Sequence, residues 1–165
     1  CSEMCIRDSY HGDEIGMLND FSYMQDEEKA HDTRWIHRPF MDWEKAEKRH
    51  VHGTVEQRIF EGLSNMIAVR KNTQAFADFN NRELIKTGNP HLFVFTRNNP
   101  FDLNDEVLVV GNFHNTPQSL TLSDLGNRGQ YEYGQLKDLC TGEAPAHYKD
   151  QLVIPPFRFY WLVTY

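Results

Sequence analysis

The chain has 165 residues, of which 39% are hydrophobic and 13% aromatic, so it can bury a core and is not a disordered tail. Its formal net charge of −7 argues against binding to nucleic acid or to an anionic membrane, since both require clustered lysine and arginine. No apolar run approaches the length of a membrane helix, whereas neutral polar substrates such as sugars are compatible with this composition.

The first nine residues, CSEMCIRDS, show neither apolar periodicity nor a turn pattern. They resemble the translation of a sequencing-library adaptor, and we therefore expect residues 1–9 to be an artefact outside the fold. The alternatives are a genuine loop or a CxxxC metal pair, which is a poor zinc signal without a second pair. Three cysteines do not make a disulfide framework, which weakly favours a reducing compartment such as the cytoplasm.

Residues 10–53 are rich in loop signals, and a short helix is expected only within MDWEKAEKR. The stretch YHGDEIGMLND reads like the rim of an active site because glycines flank two acids. On an extended backbone the adjacent Asp13 and Glu14 would point to opposite faces, so a structural role is expected for at least one.

The stretch HDTRWIHRP, residues 31–39, carries the strongest local chemistry in the chain. Asp32, Arg34, His37 and Arg38 lie within seven residues. An arginine can hold a carboxylate in a bidentate fork, such a pair can floor a sugar pocket, and Trp35 offers a flat face to a sugar ring. The structural alternative is a network of ion pairs that stabilises the loop, with Trp35 packed against it. The spacing by itself favours this alternative. His31, His37, His50 and His52 form no recognised metal motif, and no metal site is expected.

Residues 54–72 are predicted to form an amphipathic helix. Thr54 and Gln57 have the spacing of a capping box, and Glu56 lies where the helix dipole favours an acid. Apolar residues then recur at helical spacing and predict a stripe that packs on another element: Ile59, Phe60, Leu63, Met66 and Ile67.

From Arg82 onward the hydrophobic period falls to two. Short β-rich runs, from ELIKT to FRFYWLVTY, alternate with turn signals such as TGNP, NNPFDLND and HNTPQ. Strands this frequent without intervening helices predict an antiparallel sandwich of six to eight strands. Pro155 and Pro156 should mark a bend before the last strand.

No nucleophile elbow, phosphate-binding loop or nucleotide fingerprint is present, but the motifs in order resemble a known family. YHGDEIG resembles the end of the eighth barrel strand in the α-amylase superfamily, glycoside hydrolase family 13. GDEIGMLND followed by QDEEKAHDTRWIHRP is similar in order and spacing to the loop of amylosucrases. MIAVRKNTQAF resembles the end of their last barrel helix, and PPFRFYWLVTY resembles the last strand of their C-terminal domain.

The resemblance implies an α+β fragment: the end of a (β/α)8 barrel in residues 10–80, then an antiparallel β-sandwich C-terminal domain in residues 81–165. The catalytic carboxylates would lie upstream, so none is assigned to this chain and the chain is expected to be inactive by itself. Arg34 matches the arginine that closes the glucosyl pocket with an upstream aspartate. Asp32, Trp35 and Arg38 are assigned to loop support. No metal and no organic cofactor are implied.

The resulting hypothesis is a sucrose-acting glucosyltransferase that releases fructose and extends an α-1,4-glucan. Its partners would be sucrose, a glucan acceptor and the barrel that precedes Tyr10, with no nucleic acid or membrane. A sucrose hydrolase or α-glucosidase of the same family is the first alternative. A stand-alone carbohydrate-binding or interaction module is the alternative from another class.

Overall fold

The computed structural model describes residues 11–78, 80–125, 131 and 133–164. The predictions for residues 1–9 and for Tyr10 lie outside the described residues. The chain divides into two compact units, Cys1–Asn65 and Met66–Tyr165. Among the described residues, we find no helix with the length and apolarity needed to cross a membrane.

The first unit is built mainly of short 3-10 turns and loops. The turns cover Asp13–Ile15, Ser22–Gln25, Thr33–His37 and Lys48–His50. A short helix, α1, spans Trp43–Glu47 and begins where the Asp42 carboxylate accepts a hydrogen bond from the Lys45 amide at 2.9 Å. The short helix predicted within MDWEKAEKR is confirmed. Residues 11–65, all described, include no β-strand, so the barrel end remains a prediction.

Helix α2 spans Val55–Asn72, which confirms the helix predicted from the capping pattern. The Thr54 hydroxyl oxygen accepts a hydrogen bond from the Gln57 amide at 3.2 Å. The Gln57 side-chain oxygen accepts in turn from the Gly53 amide at 3.2 Å. The cap is thus reciprocal, but Gln57 reaches one residue further back than the usual capping box. Of the residues of α2, all of them described, only Gln57 is buried.

The second unit is an antiparallel β structure of eight strands among the described residues. They are β1 Arg82–Ile85, β2 Leu92–Asn99, β3 Asp102–Asn112, β4 Gln118–Thr121, β5 Leu136–Asp138, β6 His147–Tyr148, β7 Gln151–Ile154 and β8 Phe159–Thr164. One sheet has the order β1-β2-β3-β8-β5, and the other has the order β4-β7-β6. Every pairing is antiparallel.

The two sheets share one apolar core. Its buried residues come from strands of both sheets and from the segment between β4 and β5: Val94, Leu108, Val110, Leu120, Leu125, Tyr131, Leu136, Leu152, Ile154 and Leu162. A second cluster lies on the other face of the five-stranded sheet, where Ala75 and Phe76 pack with Val107 and Val109. The Phe76 and Trp161 rings are 4.7 Å apart in this cluster. The sandwich predicted from the period of two is confirmed in its strand number and its antiparallel pairing.

The structure differs from the sequence analysis at one turn and at one short strand, and it confirms the position of the two prolines. The turn predicted at NNPFDLND is too long, because β3 already begins at Asp102 and the register of its pairing with β2 shifts between Asn98 and Asn99. The two-residue strand β6 was not predicted, since two residues show no periodicity. Pro155 and Pro156 do lie between β7 and β8, as expected for residues that lack an amide donor.

Candidate functional site

The glycine-flanked acids form a tight turn in the first unit rather than an extended segment. Gly12 and Gly16 have φ values of +99° and +64°, which are left-handed conformations, and a 3-10 turn lies between them. The expectation that Asp13 and Glu14 extend to opposite faces of a strand is therefore wrong. Glu14 has a structural role, as expected for one of the two, since its Oε2 accepts from the Gly12 amide at 2.9 Å.

The loop that follows is fastened to itself at two points. The Asp20 amide donates to the Ile36 carbonyl at 2.9 Å, and His37 Nδ1 lies 3.1 Å from Asn19 Oδ1. These contacts join the end of GDEIGMLND to the end of DTRWIH. The two motifs that carried the sequence resemblance are thus adjacent in space.

Asp32 and Arg34 form a forked ion pair within this loop. Arg34 Nε donates to Asp32 Oδ1 at 2.8 Å, and Arg34 Nη2 donates to Oδ2 at 2.7 Å. Asp32 Oδ1 also accepts from the Arg34 amide at 3.0 Å, so the same carboxylate begins the 3-10 turn at Thr33. Two hydrogen bonds in parallel fix both the distance and the plane of the guanidinium.

Hydrogen bonds from the Arg34 side chain and amide lower the pKa of Asp32 from 3.8 to about 2. The Asp32 bond correspondingly raises the pKa of Arg34. The Arg34 side chain is nevertheless 74% exposed. Its Nη1 makes no hydrogen bond to any residue that the structure describes, so this atom is available to a further acceptor.

Trp35 and Arg38 line a small cavity beside the ion pair. This cavity has a volume of about 140 Å³, and the rest of its wall consists of Asp20, Ser22, Tyr23, Asp26, Lys29 and Phe40. The Lys29 ammonium binds Asp26 Oδ2 at 2.6 Å and lies 5.4 Å from the centroid of the Trp35 ring. Arg34 and Asp32 are not among its lining residues.

The structure thus brings Asp32 together with Arg34, and Trp35 together with Arg38, in two adjacent arrangements. The assignments of Arg34 to substrate binding and of Asp32, Trp35 and Arg38 to loop support stay predictions. Sequence reasoning missed Tyr23, Asp26 and Lys29. The spacing of Asp26 and Lys29 was a usable signal, because oppositely charged residues three apart meet on one turn.

The β domain matches a known family. Residues 82–161 match the family model for the maltogenic amylase C-terminal domain. This range begins at the first residue of β1 and ends within β8, so the matched region includes strands of both sheets.

Two solved structures have a similar fold. The chain superposes on AmyP in complex with maltose with a TM-score of 0.51 and 17% identity, over 67% of this chain and 21% of that one. It superposes on the pullulanase of Anoxybacillus sp. LM18-11 complexed with maltotriose with a TM-score of 0.51 and 13% identity, over 74% of this chain and 16% of that one. The chain thus spans about a fifth of AmyP and a sixth of the pullulanase. Over residues 82–161 the chain is thus similar to the C-terminal domain of maltogenic amylases.

Proposed function

We propose that this chain is the C-terminal part of a sucrose-acting glucosyltransferase of the amylosucrase type. The observation that carries the proposal is the loop DTRWIHRP with its exposed, forked Arg34, placed in sequence before a β domain that matches the model of the maltogenic amylase C-terminal domain. The resemblance of this loop to that of amylosucrases is the reason for proposing sucrose rather than starch as donor.

In the proposed reaction, an upstream aspartate attacks the glucosyl carbon of sucrose, and an upstream glutamate protonates the departing fructose. The covalent β-glucosyl intermediate is then transferred to the end of an α-1,4-glucan, so two inversions give net retention. Neither carboxylate is assigned to this chain. The reaction needs no metal and no organic cofactor.

Arg34 would close the base of the glucosyl pocket together with an upstream aspartate. Asp32 supports this role because it holds Nε and Nη2 and thereby orients the guanidinium plane in advance. Nη1 keeps its two donors for the second carboxylate. A closed pocket base admits one glucosyl unit, which favours action at a sugar end over cleavage within a chain.

The partner that we propose for the first unit is a (β/α)8 barrel that precedes Tyr10. Large apolar side chains of this unit lie open to solvent, among them Leu18 at 81%, Trp43 at 70% and Phe21 at 57% exposure. Apolar groups this exposed and this numerous are typical of a surface that another body covers. The barrel would supply both that cover and the catalytic carboxylates.

The test is product analysis with the enzyme encoded by the uninterrupted reading frame upstream of Tyr10. Incubation with sucrose should give fructose and an α-1,4-glucan. Free glucose and fructose without glucan would favour the sucrose hydrolase instead, and no action on sucrose would refute both. In that enzyme, Arg34→Lys keeps the charge but loses the fork, and we expect kcat/KM for sucrose to fall about a hundredfold.

A further inference from the structure

We propose that the cavity lined by Tyr23, Trp35 and Arg38 is a second carbohydrate subsite, separate from the pocket assigned to Arg34, which binds a neutral pyranoside unit. The inference rests on the proposed function for its class of ligand. Its site is different, since neither Arg34 nor Asp32 lines this cavity.

The charges of the wall favour a neutral ligand. Two carboxylates, Asp20 and Asp26, face two cations, Lys29 and Arg38, so their formal charges cancel. The Lys29 hydrogen bond and charge lower the pKa of Asp26, and Asp26 raises the pKa of Lys29, which keeps both groups ionised. An anion or a cation would gain little net attraction from such a set, whereas hydroxyl groups both donate and accept.

Several polar groups of the wall still have capacity for hydrogen bonds. Among the described residues, none forms a hydrogen bond or ion pair with the Arg38 guanidinium or with the Tyr23 hydroxyl. Tyr23 is only 7% exposed, so its phenol is held in place by the surrounding chain. The phenol hydroxyl can donate one hydrogen bond and accept others, and a bound sugar hydroxyl would provide such a partner.

The wall also offers an apolar surface that is fixed before binding. Trp35 is half-buried, and the Lys29 ammonium lies 5.4 Å from its ring centroid while Asp26 holds the same ammonium at 2.6 Å. The ring therefore loses little freedom when a sugar packs against it. A pyranose ring has flat apolar faces and polar edges, and this wall offers matching groups. The volume of about 140 Å³ suits one sugar unit rather than a chain of them.

The experiment titrates the 165-residue chain with maltose while NMR follows the indole N–H signals of its three tryptophans. We expect a saturable shift of the Trp35 signal and almost none at Trp43 or Trp161. Trp35→Ala and Arg38→Gln should each weaken binding about tenfold. The matched controls are Trp43→Ala and Arg58→Gln, which change the same residue types at exposed positions outside the cavity and should stay within about twofold of the unmodified chain.

Four results would overturn the subsite. The first is no saturable shift with maltose, and the second is an equal loss in the matched controls. The third is displacement of maltose by inorganic phosphate, which would show a charged ligand. The fourth is the absence of a ring-current shift from Trp35 at the Lys29 side-chain signals. That absence would show that the cavity does not form in solution.

The subsite and the proposed function can fail separately. Maltose binding to the chain requires no turnover, whereas the sucrose assay of the longer enzyme requires no second subsite. If the chain binds maltose but the longer enzyme does not act on sucrose, the subsite proposal stands and the glucosyltransferase proposal is rejected. If the longer enzyme acts on sucrose but the chain does not bind maltose, the glucosyltransferase proposal stands and the subsite proposal is rejected.

Discussion

The Asp32–Arg34 pair shows how one carboxylate performs two tasks in the same loop. It begins the 3-10 turn by accepting from the Arg34 amide, and it holds the Arg34 guanidinium in a fork. Both sets of hydrogen bonds require the ionised carboxylate. The Asp32–Arg34 fork should therefore depend on pH only in the strongly acidic range.

The titration of the Asp32 carboxyl should depend on Arg34. Because the folded chain lowers the pKa of Asp32 to about 2 from 3.8, the pair contributes stability above pH 3.8 and loses it as the pH falls toward 2. Arg34→Gln should return the Asp32 titration, followed by carboxyl NMR, toward 3.8. Arg38→Gln is the control, since Arg38 is the weakest of the groups that lower this pKa. An equal rise in both variants would contradict the assigned cause.

Asp138 is the second residue on which a prediction rests. It is 2% exposed, and its Oδ1 accepts from the Trp161 amide at 2.9 Å. Its Oδ2 accepts from the Thr141 amide at 3.0 Å and from the Thr141 hydroxyl at 2.9 Å. The carboxylate thus joins β8 to the turn that follows β5.

Asp138→Ala should destabilise the β domain by about 1–3 kcal/mol, because it removes a buried acceptor and leaves the half-buried Trp161 amide without its partner. Urea unfolding followed by circular dichroism measures this change. Asp138→Asn should cost less, since its amide oxygen still serves one side of the contact. Asp150→Ala changes an exposed aspartate in the same domain and should stay within about 0.5 kcal/mol. Equal losses at the two positions would show that the contact is not what stabilises the domain.

At the scale of elements, α2 and the strands followed from local patterns. The capping residues and the helical period predicted α2, and the period of two predicted the strands. The exact partner of Gln57 did not follow, because it depends on how the chain enters the helix at Gly53, where φ is +86°.

Two glycines near α2 give opposite predictions. Gly62 lies inside the exposed face of the helix, and an added Cβ there meets no atom within 4 Å. Gly62→Ala should therefore raise the free energy of unfolding by about 0.5–1 kcal/mol. Gly53→Ala also finds open space, but the positive φ should make it cost about 1–2 kcal/mol. Thermal unfolding followed at a helical wavelength distinguishes them, and a change of the same sign in both would refute the argument.

At the scale of the whole molecule, the two units differ in how much apolar surface they bury. In the described part of the chain before Met66, the buried hydrophobic residues are Ile15, Tyr23 and Ala46. The second unit contains the shared core of two sheets together with the cluster around Phe76. Stability scales with buried apolar area, so the units should not unfold together.

We expect hydrogen exchange to be at least about tenfold slower at the paired amides of β2, β3 and β8 than in the 3-10 turns and α1. Exchange of the 165-residue chain, resolved by NMR or mass spectrometry, measures this difference. A single cooperative transition with equal protection in both units would contradict it. That result would favour the stand-alone module over the fragment of a larger enzyme.

The sequence by itself determined the features that depend on neighbouring residues. These are the helix at 54–72, the run of short antiparallel strands, and the ability of an arginine to form an ion pair with a nearby carboxylate. These follow from spacing along the chain, which sets the faces that side chains share. Only the tertiary structure decided that Asp13 and Glu14 lie in a turn, that Asp32 is the carboxylate in the Arg34 fork, and that Tyr23, Lys29 and Trp35 enclose a cavity. The turn and the fork are formed by neighbouring residues, but the residue types alone do not select one backbone conformation or one ion-pair partner. The cavity depends on segments further apart in sequence, which contacts such as Asn19 with His37 hold together, and no local period encodes such contacts.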